Sequence, residues 1–234
     1  MSRELDLREF TPARVGLGRT GSSVPTAELL RFELDHARAR DAVYRELESA
    51  WPPVPHLRLH SAARDRATYL RRPDLGRRLN ADSRARLAPG SYDAAIVIAD
   101  GLSALAVERH ALPLLEELRR SLDSEGWALA PLTVVEQGRV AIGDEIGQRL
   151  GARSVAVMIG ERPGLSSPDS LGVYVTWDPT PGRSDAERNC VSNVRTEGLS
   201  YAAAAGVVHL LLSAARRQKL SGVRLRHNSP VSLP

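Results

Sequence analysis

The chain has 234 residues and a net charge of +4, and 42% of its residues are apolar and 26% charged. This composition is typical of a folded globular protein, and no run of about 20 apolar residues predicts a membrane span. The single cysteine excludes an internal disulfide framework. No signal-peptide pattern is present at the amino terminus. We therefore expect a cytoplasmic protein that does not associate with a membrane.

The basic residues are almost all arginine, since Lys219 is the only lysine. Arginine favours fixed bidentate contacts over a diffuse positive surface, and here it alternates with Asp and Glu along most of the chain. Such alternation is typical of a solvated, ion-paired surface. The sequence contains no zinc-ligand spacing, no helix-turn-helix signature and no basic strip interleaved with aromatic residues. We expect neither a metal site nor nucleic-acid binding.

The first 89 residues predict a smaller, mostly helical domain. A polar arm of about fifteen residues and a glycine-rich loop precede a helix from Pro25 to about Leu47. The proline-rich segment 51–55 breaks the chain. Further helices are predicted over 61–70 and over 74–87, and the second of these ends before Pro89.

Residues 90–234 predict an α/β domain, because strand-like and helix-like segments alternate. We expect a Rossmann-like, three-layer domain with a mostly parallel sheet. The predicted strands are 94–99, 131–135, 154–159 and 171–177, and the predicted helices are 104–122, 144–150 and 201–220.

The third predicted strand runs directly into Gly160-Glu161-Arg162-Pro163-Gly164. Ligands bind at the carboxyl ends of the strands in open α/β sheets, so Glu161 and Arg162 are candidate ligand contacts. Alternatively, the two side chains form a surface ion pair with each other. Val140 follows the preceding strand, and its loop is expected to open on the same edge of the sheet. The alternative is that Val140 only begins the core face of the next helix.

Cys190 lies in a small polar segment. Its residues indicate a small buried apolar side chain or a nucleophile, and the resemblance to a known family, given below, adds a ligand contact as a third interpretation. A nucleophile needs a nearby group that lowers the thiol pKa, and none of the six histidines lies in this segment. Ser192 and Asn193 are weaker candidates for contacts with the same ligand.

An ordered set of motifs extends from Arg14 to Gly222 and resembles the small subunit (light chain) of ethanolamine ammonia-lyase. The motifs include Asp35-His36 and, in one-letter code, RVGLGRTG (14–21), YLRRPDLGRRL (69–79), IADGLS (98–103), GRV (138–140), GERPGL (160–165) and RNCVSN (188–193).

This resemblance implies an adenosylcobalamin-dependent enzyme that converts ethanolamine to acetaldehyde and ammonia. It implies that Val140, Glu161 and Cys190 contact the cobalamin. It also implies a large-subunit partner that holds the substrate and the catalytic side chains, so no catalytic residue is expected in this chain. The pattern Asp-x-His-x-x-Gly is absent, which fits a cofactor that keeps its own lower base. The resemblance also allows for packaging in a bacterial microcompartment.

Two other functions remain open from the residues. One is a self-sufficient enzyme that uses Cys190 as its nucleophile. The other is a non-catalytic Rossmann-like nucleotide binder or an arginine-rich interaction module.

Overall fold

The computed structural model describes Phe10, Val15 and residues 21–225. The rest of the predicted arm and most of the glycine-rich loop lie outside the described residues. Within 21–225 the helices are α1 (Thr26–Tyr44), α2 (Arg66–Arg71), α3 (Ala81–Ala85), α4 (Ala104–Ser124), α5 (Ile142–Leu150) and α6 (Tyr201–Gln218). The strands are β1 (Leu57–His60), β2 (Tyr92–Ala99), β3 (Thr133–Glu136), β4 (Ala152–Gly160), β5 (Leu171–Trp177) and β6 (Arg188–Val194).

The six strands form one mixed sheet in the order β1-β3-β2-β4-β5-β6. The first four in this order run parallel to one another, whereas β5 is antiparallel to β4 and β6 is antiparallel to β5. The predicted α/β class with a mostly parallel sheet is therefore confirmed. The predicted division of the chain at residue 89 stays a prediction.

Helices cover both faces of the sheet, and β2 shows how its side chains divide between them. Alternate residues point to opposite faces of a strand. Ile96 and Ile98 pack with α4 and α6 on one face. Val97 and Ala99 pack with α5 on the other. Both faces of β2 are therefore covered, which explains its almost uninterrupted apolar sequence.

The region predicted to be mostly helical contains a strand. Residues 57–60 form β1, which pairs along its whole length with β3. The helices that follow are shorter than predicted, and residues 75–77 form only a 3-10 turn. The helix prediction for 61–70 and 74–87 is wrong at most of these positions. Tertiary pairing prevailed over local propensity here, because β1 gains its backbone hydrogen bonds from a strand about 75 residues away.

β6 was also missed, since its sequence is largely polar. It is the last strand of the sheet, and Cys190, Ser192 and Asn193 are exposed on it. Its first residue, Arg188, is buried and forms a bidentate ion pair with Asp144 of α5, with N–O distances of 2.6 and 2.7 Å. An edge strand with an exposed face does not need the apolar alternation that identifies an internal strand.

Candidate functional site

The order of the strands creates a crevice at the carboxyl ends of β2 and β3, beside the end of β4. The chain leaves β2 through α4 on one face of the sheet, and it leaves β3 through α5 on the opposite face. Because β2 and β3 are adjacent and parallel, the two connections diverge at this edge of the sheet. Such a topological switch point is the usual ligand position in open α/β sheets.

Two glycines bring the ends of β2 and β4 into backbone contact. Gly101 has a φ of +60°, and a Cβ atom there would lie 2.2 Å from the carbonyl oxygen of Gly160. A Cβ atom on Gly160 would lie 2.0 Å from the carbonyl oxygen of Ser103. The amide of Leu102 donates to the carbonyl of Gly160 at 2.9 Å. The floor of the crevice is therefore built from backbone atoms.

Asp100 ends β2 and fixes the loop that follows β3. Its carboxylate accepts hydrogen bonds from the backbone amides of Gln137 at 2.9 Å and Gly138 at 3.0 Å. Arg66 lies 3.6 Å from the same carboxylate. Complete burial raises the pKa of Asp100 to about 6, and the charge of Arg66 and the backbone hydrogen bonds oppose that rise.

A pocket of about 390 Å³ opens at the switch point. Val140 and Glu161 both line it, so the prediction that their two loops open on the same edge is confirmed. Its other lining residues include Leu102, Arg139, Ile159, Arg162 and Tyr174. The pocket thus combines an apolar wall with a carboxylate and two guanidinium groups.

Gly172 of β5 makes room for the side chain of Glu161. A Cβ atom at position 172 would lie 2.7 Å from Oε1 of Glu161 and 3.1 Å from its Cγ. The carboxylate also accepts hydrogen bonds from the hydroxyl of Ser170 and, at 3.4 Å, from the backbone amide of Asn193. Among the described residues Glu161 makes no ion pair with Arg162, so the alternative of a mutual surface pair is wrong.

Cys190 lies next to this site because it pairs with Tyr174 across β5 and β6. The two residues are Cα partners in the pairing of β5 with β6, and Tyr174 lines the pocket. Although Cys190 is exposed as a residue, burial of its thiol against β5 raises the thiol pKa. Hydrogen bonding with Tyr174 opposes this rise, and the charge of Glu161 adds to it. Burial, the thiol and Glu161 likewise raise the pKa of Tyr174.

Val140 lies at the same edge of the sheet as Glu161 and also packs against the core, while its contact with cobalamin stays a prediction. It packs against the core on the α5 face of the sheet and also lines the pocket, just before α5 begins at Ile142. Ser192 and Asn193 lie on β6, the strand that also carries Cys190. The backbone amide of Asn193 contacts Glu161, but neither Ser192 nor Asn193 lines the pocket.

Arg139 forms a second polar wall of the pocket. Its guanidinium carbon lies 4.1 Å from the centre of the buried Tyr69 ring, and its backbone amide donates to the carbonyl of Gly76 at 2.8 Å. Its Nε atom is buried and has no hydrogen-bond partner in the described part of the chain. Arg139 is therefore held in place while one of its donors is unused.

Several residues of the site were not predicted as ligand contacts from the sequence, among them Asp100, Arg139, Gly172 and Tyr174. The segment 100–103 does follow a predicted strand, so its position could have indicated that Asp100 lies at the ligand edge. Gly172 interrupts an otherwise β-branched strand, which is a known signal for close backbone approach. No local signal could have paired Tyr174 with Cys190, because their contact depends on the antiparallel register of β5 and β6.

Neither a metal cluster nor a membrane helix is found in the described residues. No group of three or more His, Cys, Asp or Glu side chains there is arranged to hold a metal ion. Likewise, no helix within residues 21–225 is long and apolar enough to cross a membrane.

The fold and the pocket define an α/β protein with an open, ligand-binding type of site at a topological switch point. The profile of the family described as "Ethanolamine ammonia-lyase light chain" matches residues 2–226. The chain belongs to this family.

Individual relatives agree with this assignment along nearly the whole chain. The ethanolamine ammonia-lyase small subunit of Azotobacter vinelandii is 56% identical over 239 residues, which cover 97% of this chain and 88% of the relative. The corresponding subunit of Pseudomonas fluorescens Pf-5 is 53% identical over 240 residues, with the same coverage. That of Ralstonia nicotianae is 53% identical and covers 97% of this chain and 89% of the relative.

Proposed function

We propose that this chain acts as the small subunit of an ethanolamine ammonia-lyase and holds one edge of adenosylcobalamin at the switch-point pocket. The enzyme would convert ethanolamine to acetaldehyde and ammonia. The observation that carries this proposal is that Val140 and Glu161 line one pocket together with Tyr174, and that Tyr174 pairs with Cys190 on the neighbouring strand, so that three distant segments meet at one edge of the sheet.

The chemistry of the pocket fits a corrinoid. The corrin ring is a broad, mostly apolar macrocycle whose rim carries amide groups. Leu102, Val140 and Ile159 provide an apolar surface, and the carboxylate of Glu161 can accept hydrogen bonds from amide NH2 groups. Arg139, whose Nε lacks a partner, and the exposed Arg162 can donate to amide carbonyls. The radical chemistry of the reaction is supplied by the cofactor when it is bound.

The pocket is open and small, which supports a partner that completes the site. A volume of about 390 Å³ accommodates only part of a corrinoid. The helix α1 supports the same conclusion, because Leu29, Leu30 and Leu34 are 47, 59 and 50% exposed on it. Exposed apolar groups of this kind mark interaction surfaces. We assign the large subunit as the partner and place the catalytic acid–base groups there.

The alternative of a nucleophilic Cys190 is disfavoured by the environment of the thiol. A nucleophilic cysteine needs a lowered pKa, whereas burial and the neighbouring Glu161 raise the pKa of this thiol. A function as a dinucleotide binder is disfavoured by Asp100, whose carboxylate already accepts two backbone amides at the end of β2. We also propose the Rossmann-like description for residues 90–234, on the strength of the β2-α4-β3-α5-β4 succession.

The test measures, by visible spectroscopy, the binding of cobalamin to this chain co-purified with its large subunit. Loss of a hydrogen bond to a charged group predicts about tenfold weaker binding in Glu161→Ala. The exposed helical variant Glu116→Ala serves as control and should bind as the unmodified complex does. Equal affinity in both variants, with only folding impaired in Glu161→Ala, would make the Glu161 turn structural. The chain purified without a large subunit should show no deamination of ethanolamine.

A further inference from the structure

A second pocket, lined by arginines, lies beside the switch-point pocket. We call it the arginine pocket; it has a volume of about 470 Å³ and is lined by Arg77, Arg78, Arg84, Glu145 and Arg183. Ala141 also lines it and directly follows Val140 of the first pocket. The loop from Gly138 to Ala141 therefore separates the two pockets.

The single carboxylate that lines the arginine pocket is already engaged by three donors. Glu145 accepts hydrogen bonds from the backbone amide of Leu79 at 2.9 Å and from Nε of Arg84 at 2.6 Å. Arg149 donates to the same carboxylate at 3.3 Å. Two guanidinium groups therefore share this one negative charge, and neither Arg77 nor Arg78 is among the donors to Glu145.

The donors of Arg77 and Arg78 are unused. Both residues are exposed, and within the described residues their side chains make no hydrogen bond and no ion pair. Of the guanidinium of Arg84, only Nε is engaged. Arg183, by contrast, is bound to Glu187 and to the backbone oxygen of Asp178, so it forms a fixed wall. The pocket therefore has a surplus of guanidinium donors and of positive charge.

The backbone that carries these arginines is held in place before any ligand binds. Gly76 is packed so closely that a Cβ atom there would lie 2.9 Å from Cγ of Arg139 and 3.1 Å from the carbonyl oxygen of Gln137. On the other side of the pair, Leu79 is fully buried and its amide is bound to Glu145. A fixed backbone lowers the entropy cost of binding, since only the side chains of Arg77 and Arg78 still have to be ordered around a ligand.

We propose that the arginine pocket binds the phosphate group of a small molecule. The planar forks of guanidinium groups match the oxygens of a phosphate, and two unpaired arginines beside a third can balance the double charge of a monoester or the single charge of a diester. Binding of a free phosphorylated molecule is independent of the roles proposed for Val140, Glu161 and Cys190, whereas binding of the cofactor's phosphodiester rests on the proposed function. The phosphate can come from a free phosphorylated molecule or from the phosphodiester of the cofactor bound next door.

The experiment is calorimetric titration of the complex of this chain and its large subunit with inorganic phosphate and with pyrophosphate, at low ionic strength. We expect saturable binding that the double variant Arg77→Ala/Arg78→Ala weakens about tenfold or more. The control is Arg119→Ala/Arg217→Ala, which removes the same charge from exposed arginines outside the pocket. It should leave the affinity unchanged. Because the side chains of Arg77 and Arg78 make no hydrogen bond or ion pair among the described residues, their variant should melt at the temperature of the unmodified complex.

The outcomes separate the explanations. Absence of saturable binding, or equal weakening in both double variants, overturns the proposal. The proposal is also overturned if the complex binds no phosphate and the double variant Arg77→Ala/Arg78→Ala loses its large subunit. The pocket would then be a contact surface for the partner protein. Repeating the titration on a complex saturated with cobalamin distinguishes the two sources. If the affinity for phosphate is unchanged by cobalamin, the natural ligand is a separate phosphorylated molecule. If the unmodified complex no longer binds phosphate once cobalamin is bound, the pocket holds the phosphodiester of the cofactor.

Discussion

Asp100 and Gly138 are joined by a buried hydrogen bond of 3.0 Å that fixes the loop after β3 to the end of β2. A second bond of 2.9 Å from the amide of Gln137 completes the link. Val140 lies two residues beyond Gly138, so its position in the pocket depends on a carboxylate that itself lies beneath the site.

Replacement of Asp100 by asparagine should destabilise the protein and loosen this loop. Asparagine keeps only one acceptor oxygen, and its amide group would face a backbone donor. We expect a loss of about 1–3 kcal/mol in the free energy of unfolding, measured by urea denaturation. The exposed variant Asp123→Asn should change it by less than about 0.5 kcal/mol. Equal stability of both variants would show that the buried carboxylate is not needed.

The contact of Gly101 with Gly160 should tolerate no side chain. In Gly101→Ala, the alanine must adopt a left-handed backbone conformation, and its Cβ atom would lie 2.2 Å from the carbonyl oxygen of Gly160. Gly126 is the matched control, because its φ is +67° and no atom lies within 4 Å of an added Cβ. Gly126→Ala should cost about 1–2 kcal/mol from the backbone conformation alone. Thermal denaturation should show a clearly larger loss for Gly101→Ala, and similar losses would contradict the packing argument.

Gly172→Ala should displace the carboxylate of Glu161 without destabilising the fold. The added Cβ atom meets the flexible carboxylate end of Glu161 first, so the side chain can move away at low cost. We expect a melting temperature close to that of the unmodified protein, together with weaker cobalamin binding by the assembled complex. Weaker binding in Glu161→Ala but not in Gly172→Ala would mean that the precise placement of the carboxylate is unimportant.

The thiol of Cys190 should react slowly with alkylating agents. Its pKa is raised by burial, and a raised pKa lowers the fraction of reactive thiolate at neutral pH. The rate of alkylation by iodoacetamide at pH 8, followed by mass spectrometry, should be below that of N-acetylcysteine. Since hydrogen bonding with Tyr174 lowers the thiol pKa, Tyr174→Phe should slow the reaction further. Rapid alkylation with a low apparent pKa would restore the interpretation of Cys190 as a nucleophile.

Glu187 should make stability depend on pH in the acid range. The backbone amide of Ser184, the guanidinium of Arg183 and the hydroxyl of Ser184 lower the pKa of Glu187 from 4.5 to about 2. As the pH falls from 4.5 towards 2, the unfolded chain therefore takes up its proton first, and the free energy of unfolding decreases. Urea denaturation across this window should show a flatter pH dependence for Glu187→Gln. Ser184→Ala, which removes one donor, should have a smaller effect in the same direction, and an unchanged slope in both variants would exclude this contribution.

The sequence by itself determined the internal strands and the long helices. The strand at 171–177 was predicted with the bounds that are observed, and β4 extends the prediction for 154–159 by only two residues at its start and one at its end. These segments are buried on both faces or alternate strongly, so their own residues carry the signal. The positions of Val140 and Glu161 at one edge of the sheet also followed from the sequence, because parallel strands end on the same side.

Only the tertiary structure decided the edge strands and the contacts across the site. β1 and β6 each pair on one side, and their local signals are weak, because the alternation in β1 spans only four residues and β6 is largely polar. The meeting of Glu161 with Gly172, and of Tyr174 with Cys190, depends on the antiparallel register of β4, β5 and β6. Register is a property of two segments together, since each strand's hydrogen bonds are completed by a partner elsewhere in the chain.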